Sequence, residues 1–391
     1  MKKHDQVFIK LQNKSWVLDI IKHKSPISRA DIAKITRMSP TSISRIVSEL
    51  DQQGLVRETE LVTSGVGRKA VLLDICKDAL YTIGVGIDTT IVKVGIVNFA
   101  GELIASGLLE RQPDESYEET LRIISCHIEE LIQQAGVSRE KIIGLGVGLP
   151  GLIDHKNGMV LLSAQLGWKQ VQISKRIQEL TGFKVIIDNE LKMKTLAEYL
   201  CGAAKGSKKA TLIGFGTGVG SALIINGEIY RGETNSAGEI GHTVVDPNGN
   251  VCECGKIGCL QTYIAENALL SESRKVKNIS NTNELFEAMR NGEPWAVNII
   301  ERAGTYIAIT ISNVLCLYNP ETVILSGNLI ENYPEMQQLV SQKCNVFIWE
   351  PLKSTFKITF SQLGEQGVMI GAAIQARKEF LELESNRIGD E

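Results

Sequence analysis

Aromatic residues are scarce in this chain, at 5% of 391 residues, and proline occurs only 9 times. With 43% hydrophobic and 22% charged residues, the composition excludes a disordered, collagenous or coiled-coil chain. No apolar run approaches the roughly 20 residues needed to cross a bilayer. The start, Met1-Lys-Lys-His-Asp-Gln, leads into no uninterrupted apolar stretch. No signal peptide is expected, and the reading is a soluble cytoplasmic protein. A chain of this length buries enough apolar surface to fold without disulfide staples, and it predicts two or three domains of about 100–200 residues each. Histidine is also sparse: there are 5, and His242 alone lies beyond residue 155.

Charge is present but uneven. Residues 1–70 carry 13 Lys and Arg against 7 Asp and Glu, whereas the remainder carries 29 against 38. A basic head on an acidic body suggests that the head meets a polyanion.

Three helical patterns fill that head. Leu11 to His23 places Trp16, Val17, Ile20 and Ile21 at helical spacing, and Ser25-Pro26-Ile27 breaks the run. Ser28 starts a second helix, with Asp31 as capping-box acid and Ile32, Ala33 and Ile35 as its inner face. After the turn Thr36-Arg37-Met38, Ser39-Pro40 opens a third helix with Ile43, Ile46, Val47 and Leu50 inward. Gly54 ends it, and Leu55-Val56 and Ala70 to Leu73 read as paired strands. Two short helices joined by a tight turn match a helix-turn-helix.

Thr41, Ser42, Ser44 and Arg45 face outward near the start of the third helix, with Ser28 and Arg29 at the start of the second. They suit contacts to base edges and phosphates. Arg68 and Lys69 tip a glycine-bearing loop, the wing, which can touch a minor groove or the backbone. The same helices would also suit a dimerisation hairpin. Helix order, caps, basic tip and charge asymmetry together favour DNA.

From residue 76 the pattern becomes α/β. Ile83 to Asp88 and Val92 to Val97 read as strands joined by a tight turn, and Tyr117 to Gln134 reads as a helix with Leu121, Ile124, Ile128 and Leu131 inward. Ile142 to Val147 is a strand entering Gly148-Leu-Pro-Gly151, and Phe183 to Ile187 is one entering Asp188-Asn189-Glu190. Ala210 to Phe215 leads into Gly216-Thr-Gly-Val-Gly220, and Val323 to Leu325 into Ser326-Gly327-Asn328. Glycines and carboxylates at strand C-termini mark where open α/β sheets hold ligands. Glu379 to Glu391 reads as a charged, frayed helix end.

The cysteines divide into two groups. Cys76, Cys126, Cys201, Cys316 and Cys344 are scattered and read as reduced core thiols. His242, Cys252, Cys254 and Cys259 give H-x9-C-x-C-x4-C, a closed tetrahedral set for one structural Zn2+, with Gly255 and Gly258 letting the loop curl. A set of free thiols beside an unrelated histidine is the alternative, and the isolation of His242 argues against it.

Gly148-Leu-Pro-Gly151, Gly216-Thr-Gly-Val-Gly220, Ala237-Gly-Glu-Ile-Gly-His242 and Cys252-Glu-Cys-Gly-Lys-Ile-Gly-Cys259-Leu resemble the ROK family of repressors, open reading frames and sugar kinases. With the head, residues 5 to 380 are similar to a ROK regulator of the xylose-repressor type. The resemblance implies an α/β fold: an N-terminal winged helix-turn-helix over residues 1–75, then a two-lobed, actin-like and ribonuclease-H-like sugar-kinase fold over 76–391. It implies a sugar effector held by Gly151, Asn189, Glu190, Glu239, His242 and Gln261. Glu190 stands where the family's kinases have an aspartate base, and Gln261 where they have an acid. Glu190 alternatively serves as a helix N-terminal acid. Selectivity is expected to depend on Gln165, Trp168 and Gln261.

The implied partners are a palindromic double-stranded DNA operator and a second copy of the chain, as a homodimer or tetramer. No membrane is implied. No catalytic residue is expected: Gly86-Ile87-Asp88-Thr89-Thr90 replaces the kinases' phosphate-binding turn, with a carboxylate where phosphates would sit. Two rival readings are an ATP-dependent sugar kinase with an appended head, and a DNA-binding protein that answers to a protein partner.

Overall fold

The computed structural model describes residues 2–60 and 71–387. The head consists of α1 (Lys2–Lys24), β1 (Ile27–Ser28), α2 (Arg29–Thr36), α3 (Pro40–Gln52), β2 (Val56–Glu60) and β3 (Val71–Ile75). Helix α1 begins well before Leu11, where the apolar spacing predicts it. Local chemistry sets the other boundaries. Ser28 Oγ accepts from the Asp31 amide at 3.1 Å and donates to the Asp31 carboxylate at 2.7 Å. Ser39 Oγ accepts from the Ser42 amide at 3.1 Å, with Pro40 in the first helical position. Between these helices Arg37 takes a left-handed φ of 58°.

Val17, Ile20 and Ile21 of α1, Ile32 of α2, and Ile43, Ile46, Val47 and Leu50 of α3 share one core. Strand β3 runs between β1 and β2, antiparallel to both, with Ile27 opposite Leu73 and Val56 opposite Ile75. Two expected core residues lie outside. Trp16 is 46% exposed and Ile35 39% exposed. Thr36 turns inward in place of Ile35, and its hydroxyl donates to the Ile32 carbonyl at 2.8 Å. A buried polar group is stable only with such a partner.

The body continues with β4 (Tyr81–Ile87), β5 (Ile91–Asn98), β6 (Leu103–Glu110), α4 (Tyr117–Ala135), β7 (Ile142–Leu149), β8 (Leu152–Asp154), β9 (Met159–Ser163) and β10 (Trp168–Val171). Next come α5 (Ile173–Thr181), β11 (Val185–Asn189), α6 (Glu190–Cys201), β12 (Lys209–Phe215), β13 (Val219–Ile225) and β14 (Glu228–Ile229). Helices α7 (Gln261–Ile264), α8 (Glu266–Ser273), α9 (Thr282–Arg290) and α10 (Pro294–Tyr318) precede β15 (Thr322–Ser326). The described chain closes with α11 (Asn328–Glu331), α12 (Pro334–Phe347), β16 (Lys357–Phe360) and α13 (Gly367–Arg387).

Contacts divide the chain into two compact units. The first holds residues 1–147, 172–187 and 372 onward, with a sheet in the order β11-β7-β4-β5-β6. The head joins this unit: Phe99, Ala79 and Leu80 pack on the head's core, and Arg377 donates to the Phe99 carbonyl at 2.8 Å. The second unit holds residues 148–171 and 188–371, with a sheet in the order β14-β13-β12-β15-β16 and a small sheet β10-β9-β8. Strand β12 is antiparallel to β13 and parallel to β15. Helix α10 anchors this unit's core through Ile299, Ile300, Ala303, Ile307 and Ile311.

Cys344 is buried, which pushes its thiol up to about 11, but Cys126, Cys201 and Cys316 are exposed, contrary to the core placement expected of them. Among the described residues no helix is long and apolar enough to cross a membrane. Replacing Leu50 by Ala is expected to cost about 2–5 kcal/mol of head stability. Hydrogen exchange should then accelerate across α2 and α3 while the β12–β13 amides keep their protection.

Candidate ligand and metal site

The C-terminal end of β11 organises the second unit's polar centre. Asp188 is fully buried and is therefore obliged to be paired. Arg231 donates to its Oδ2 through Nε at 3.1 Å and Nη2 at 2.9 Å. Asn235 Nδ2 donates to Oδ1 at 2.9 Å and also to the Ile153 carbonyl at 2.9 Å. The Asn189 amide donates to Oδ1 at 2.8 Å, and His155 Nδ1 lies 3.7 Å from Oδ2. One carboxylate thus ties the 231–239 loop and the β8–β9 hairpin to the start of α6.

Asn189 is the N-cap of α6, its Oδ1 accepting from the Leu191 amide at 3.0 Å and the Lys192 amide at 3.4 Å. Its Nδ2 donates to the Gly151 carbonyl at 3.1 Å, which brings two of the expected sugar residues together. Gly151 has a φ of +122°, and a Cβ there would lie 2.4 Å from the Leu162 carbonyl oxygen, so only glycine fits. Glu190 occupies the first helical position, where the macrodipole favours an acid.

Glu239 is half-buried. Burial raises its carboxyl above the ordinary range, opposed by the positive charge of Lys192 and by His242. Lys192 is only 2% exposed, and burial lowers its ammonium below the ordinary lysine range, against the pull of Asp188 and Glu239. Its Nζ donates to the Asn235 carbonyl at 2.6 Å. Spacing alone singled out none of Arg231, Asn235, His155 or Lys192 as part of this site. The one available signal was Asp188 immediately before Asn189, a carboxylate at a strand end. Of the residues expected to set selectivity, Gln165 is exposed and donates to Thr217 Oγ1 at 3.3 Å, and Trp168 is buried.

Next to Glu239 lies the metal set. One ligand atom from each of His242, Cys252, Cys254 and Cys259 can be chosen so that all four lie within 4.8 Å of one another. Cys254 and Cys259 sulfurs are 3.6 Å apart, and Cys252 Sγ is 3.8 Å from His242 Nδ1. A tetrahedral zinc with Zn–S bonds of about 2.3 Å has edges of about 3.8 Å, so the donor set fits that ion. Gly258 takes a φ of +75°, and a Cβ there would meet the Asp246 carbonyl at 1.6 Å.

The Lys256 amide, followed by the neighbouring donors, lowers the Cys254 thiol to about 7, whereas burial first and then the adjacent cysteines push Cys259 up to about 12. Gln261 Nε2 donates to Cys252 Sγ at 3.4 Å, which ties this expected sugar residue to the metal loop. Because Nδ1 of His242 faces the sulfurs, its other ring nitrogen is the one left for a second partner.

The remaining glycine corners behave differently. Residues 216–218 form the hairpin turn between β12 and β13. At the end of β15, Glu331 Oε1 accepts from the Gly327 amide at 3.0 Å, from Ser326 Oγ at 2.8 Å and from Lys194 Nζ at 2.8 Å. In the first unit, Asp88 Oδ1 accepts from the Thr89 amide at 2.6 Å and from the Thr89 hydroxyl at 3.3 Å.

On the head, Thr41, Ser44 and Arg45 are exposed, and Ser42 is half-exposed and bound to Ser39. Arg29 pairs with Glu58 at 2.6 Å, and Ser28 is engaged as a cap. Arg68 and Lys69 lie outside the described residues.

These features coincide with known proteins. A model of the ROK family matches residues 82–379, and a model of the MarR family matches residues 11–65. The xylose repressor of Bacillus subtilis (strain 168) is 28% identical over 379 residues, covering 97% of this chain and 98% of its own length. The crystal structure of a ROK family transcriptional regulator, a homologue of the E. coli Mlc protein, superposes with a TM-score of 0.82 at 26% identity, covering 96% of this chain and 98% of that one. A ROK hexokinase from Thermus thermophilus superposes with a TM-score of 0.69 at 26% identity, covering 78% of this chain and 100% of that one.

Two variants probe this centre. Asp188→Ala leaves the Arg231 cation without its carboxylate and is expected to cost about 3 kcal/mol, read as a lowered thermal midpoint. Cys254→Ser removes one of the four donors, and metal analysis is expected to find less metal per chain in the purified variant than in the wild type.

Proposed function

The chain belongs to the ROK family, and from that premise we propose that it is a sugar-responsive DNA-binding regulator, a repressor of carbohydrate-utilisation genes. The observation that carries this reading is end-to-end likeness to a repressor, covering 97% of this chain and 98% of the relative. Residues 1–75 act as the DNA-binding head and 76–391 as the sugar-binding body.

Within the head, α3 enters the major groove with Thr41, Ser42, Ser44 and Arg45 toward base edges and phosphates. Ser28, Arg29, Arg68 and Lys69 contribute backbone contacts, Arg29 by exchanging its Glu58 partner for a phosphate. One helix-turn-helix supplies few contacts, so the protein reads a palindromic operator as a homodimer.

Within the body, Gly151, Asn189, Glu190, Glu239, His242 and Gln261 surround the sugar and bond its hydroxyls. His242, Cys252, Cys254 and Cys259 hold one structural Zn2+ per chain. When bound, that ion neutralises the thiolates and fixes the loop that carries His242. The sugar acts by binding one arrangement of the protein better than another. A coupling of about 1–3 kcal/mol would change operator affinity roughly 5- to 150-fold.

Two features weigh against phosphoryl transfer. Asp88 places a carboxylate in the β4–β5 turn and uses that turn's own amide as its donor. Glu331 likewise takes the Gly327 amide and Ser326 hydroxyl at the end of β15. Backbone amides already bonded to a carboxylate are not available to a phosphate, and the Asp88 charge would repel one.

The test is fluorescence anisotropy of the full chain on DNA from upstream of its own gene, at fixed salt, with and without a monosaccharide panel and without ATP. Tight binding shifted by one sugar is the expected result. Tight binding that no sugar in a broad panel shifts would favour control by a protein partner, and sugar-dependent ADP release would revive the kinase. Arg45→Ala should weaken specific binding by about 1–3 kcal/mol while leaving the sugar response in place.

A further inference from the structure

Three polar groups near the start of α6 carry hydrogen-bonding capacity that the protein does not use. Lys192 is 2% exposed, so water does not solvate its ammonium, which has three N–H donors. Its hydrogen bond among the described residues is the one to the Asn235 carbonyl, at 2.6 Å. Two donors are left over. Asn235 Oδ1 is a buried acceptor without a donor, its Nδ2 being spent on Asp188 and Ile153. The Glu239 carboxylate accepts no side-chain or backbone hydrogen bond from the described residues, although burial raises its pKa and Lys192 and His242 are its charged and titratable neighbours. Leaving several buried groups unsatisfied costs about 1–3 kcal/mol for each neutral one and more for a charged one. A site built this way is completed by something that both donates and accepts.

We infer that Lys192 is a ligand-contacting, specificity-determining residue of the sugar site, donating to one hydroxyl of a neutral, unphosphorylated sugar whose other hydroxyls reach Glu239. This rests on the sugar-sensing reading above. A hydroxyl is the fitting group because it accepts from the ammonium and donates to a carboxylate. Charge sets the class. Lys192 and Arg231 stand against Asp188 and Glu239, and Asp188 already consumes Arg231. Lys192 is then matched by Glu239, so a uronate or a sugar phosphate would bring a second negative charge against that carboxylate.

The test is isothermal titration calorimetry of the full-length protein, first with neutral monosaccharides, hexuronates and sugar phosphates, then with the deoxy analogues of whichever sugar binds. Lys192→Met is expected to bind that sugar about 10- to 100-fold more weakly, the loss of a hydrogen bond to a charged group. Its zinc content should be unchanged. The decisive readout is the cycle: one deoxy analogue should lose affinity in the wild type and lose little more in Lys192→Met. Lys192→Gln, which keeps a donor for the Asn235 carbonyl, serves for the same cycle where Lys192→Met fails to fold.

Equal losses for every deoxy analogue in wild type and variant would make Lys192 a structural tie and overturn the inference, with a buried water as its partner. Tighter binding of a uronate or phosphate would overturn the class. A wild type that binds its operator but no sugar at all would overturn the sensing reading itself, and this inference with it.

Discussion

The polar centre of the second unit depends on the burial of one carboxylate. Asp188 has no exposure, and the cost of an unpaired charge there is far larger than any single packing term. That cost is met by Arg231, Asn235 and the Asn189 amide, which between them fill both oxygens. Satisfying Asp188 therefore fixes three segments at once: the loop that delivers Glu239, the β8–β9 hairpin that follows Gly151, and the helix start capped by Asn189. The left-handed φ of 60° at Asn235 is held by the same bonds. The residues expected to meet a sugar are in turn positioned by residues that need not touch it.

Carboxylates take a second role in this chain. Asp88 and Glu331 each occupy backbone amides at a strand-to-turn corner, positions of the kind that otherwise receive anions. Glu331 is held below the ordinary carboxylate range because the Lys194 charge and bond, the Gly327 amide and Ser326 outweigh its burial. The chain superposes on a ROK hexokinase, and its own carboxylates engage these amides. A fold hosts many activities, and the difference lies in such local chemistry.

The metal loop shows how a local constraint supports a distant one. Cys252, Cys254 and Cys259 fall within one short loop, whose curl requires the positive φ at Gly255 and Gly258. His242 joins this cluster to Glu239, three residues before it, and Gln261 joins it to α7. A metal ion held by these four donors would make the loop a rigid node.

Much of this was legible in the sequence, where the determining interactions are short-range. The caps at Ser28 and Ser39, the inward face of α3 and the burial of Leu121, Ile124 and Ile128 follow from spacing and side-chain chemistry within one or two turns. The metal set was readable for the same reason, its cysteines being a few residues apart. What sequence could not supply was long-range. Arg231 and Asn235 are 43 and 47 residues from Asp188, and no local pattern announces that pairing. Lys192 reads as an ordinary surface lysine on a helix until the tertiary structure buries it. Ile35 yields its core place to Thr36 only because the packed helices leave room for a hydroxyl bonded to its own backbone. Periodicity and spacing determined which elements form and which ligands cluster. The tertiary structure alone decided which charges had to be buried together, because the cost of desolvation exists only once the chain has folded around them.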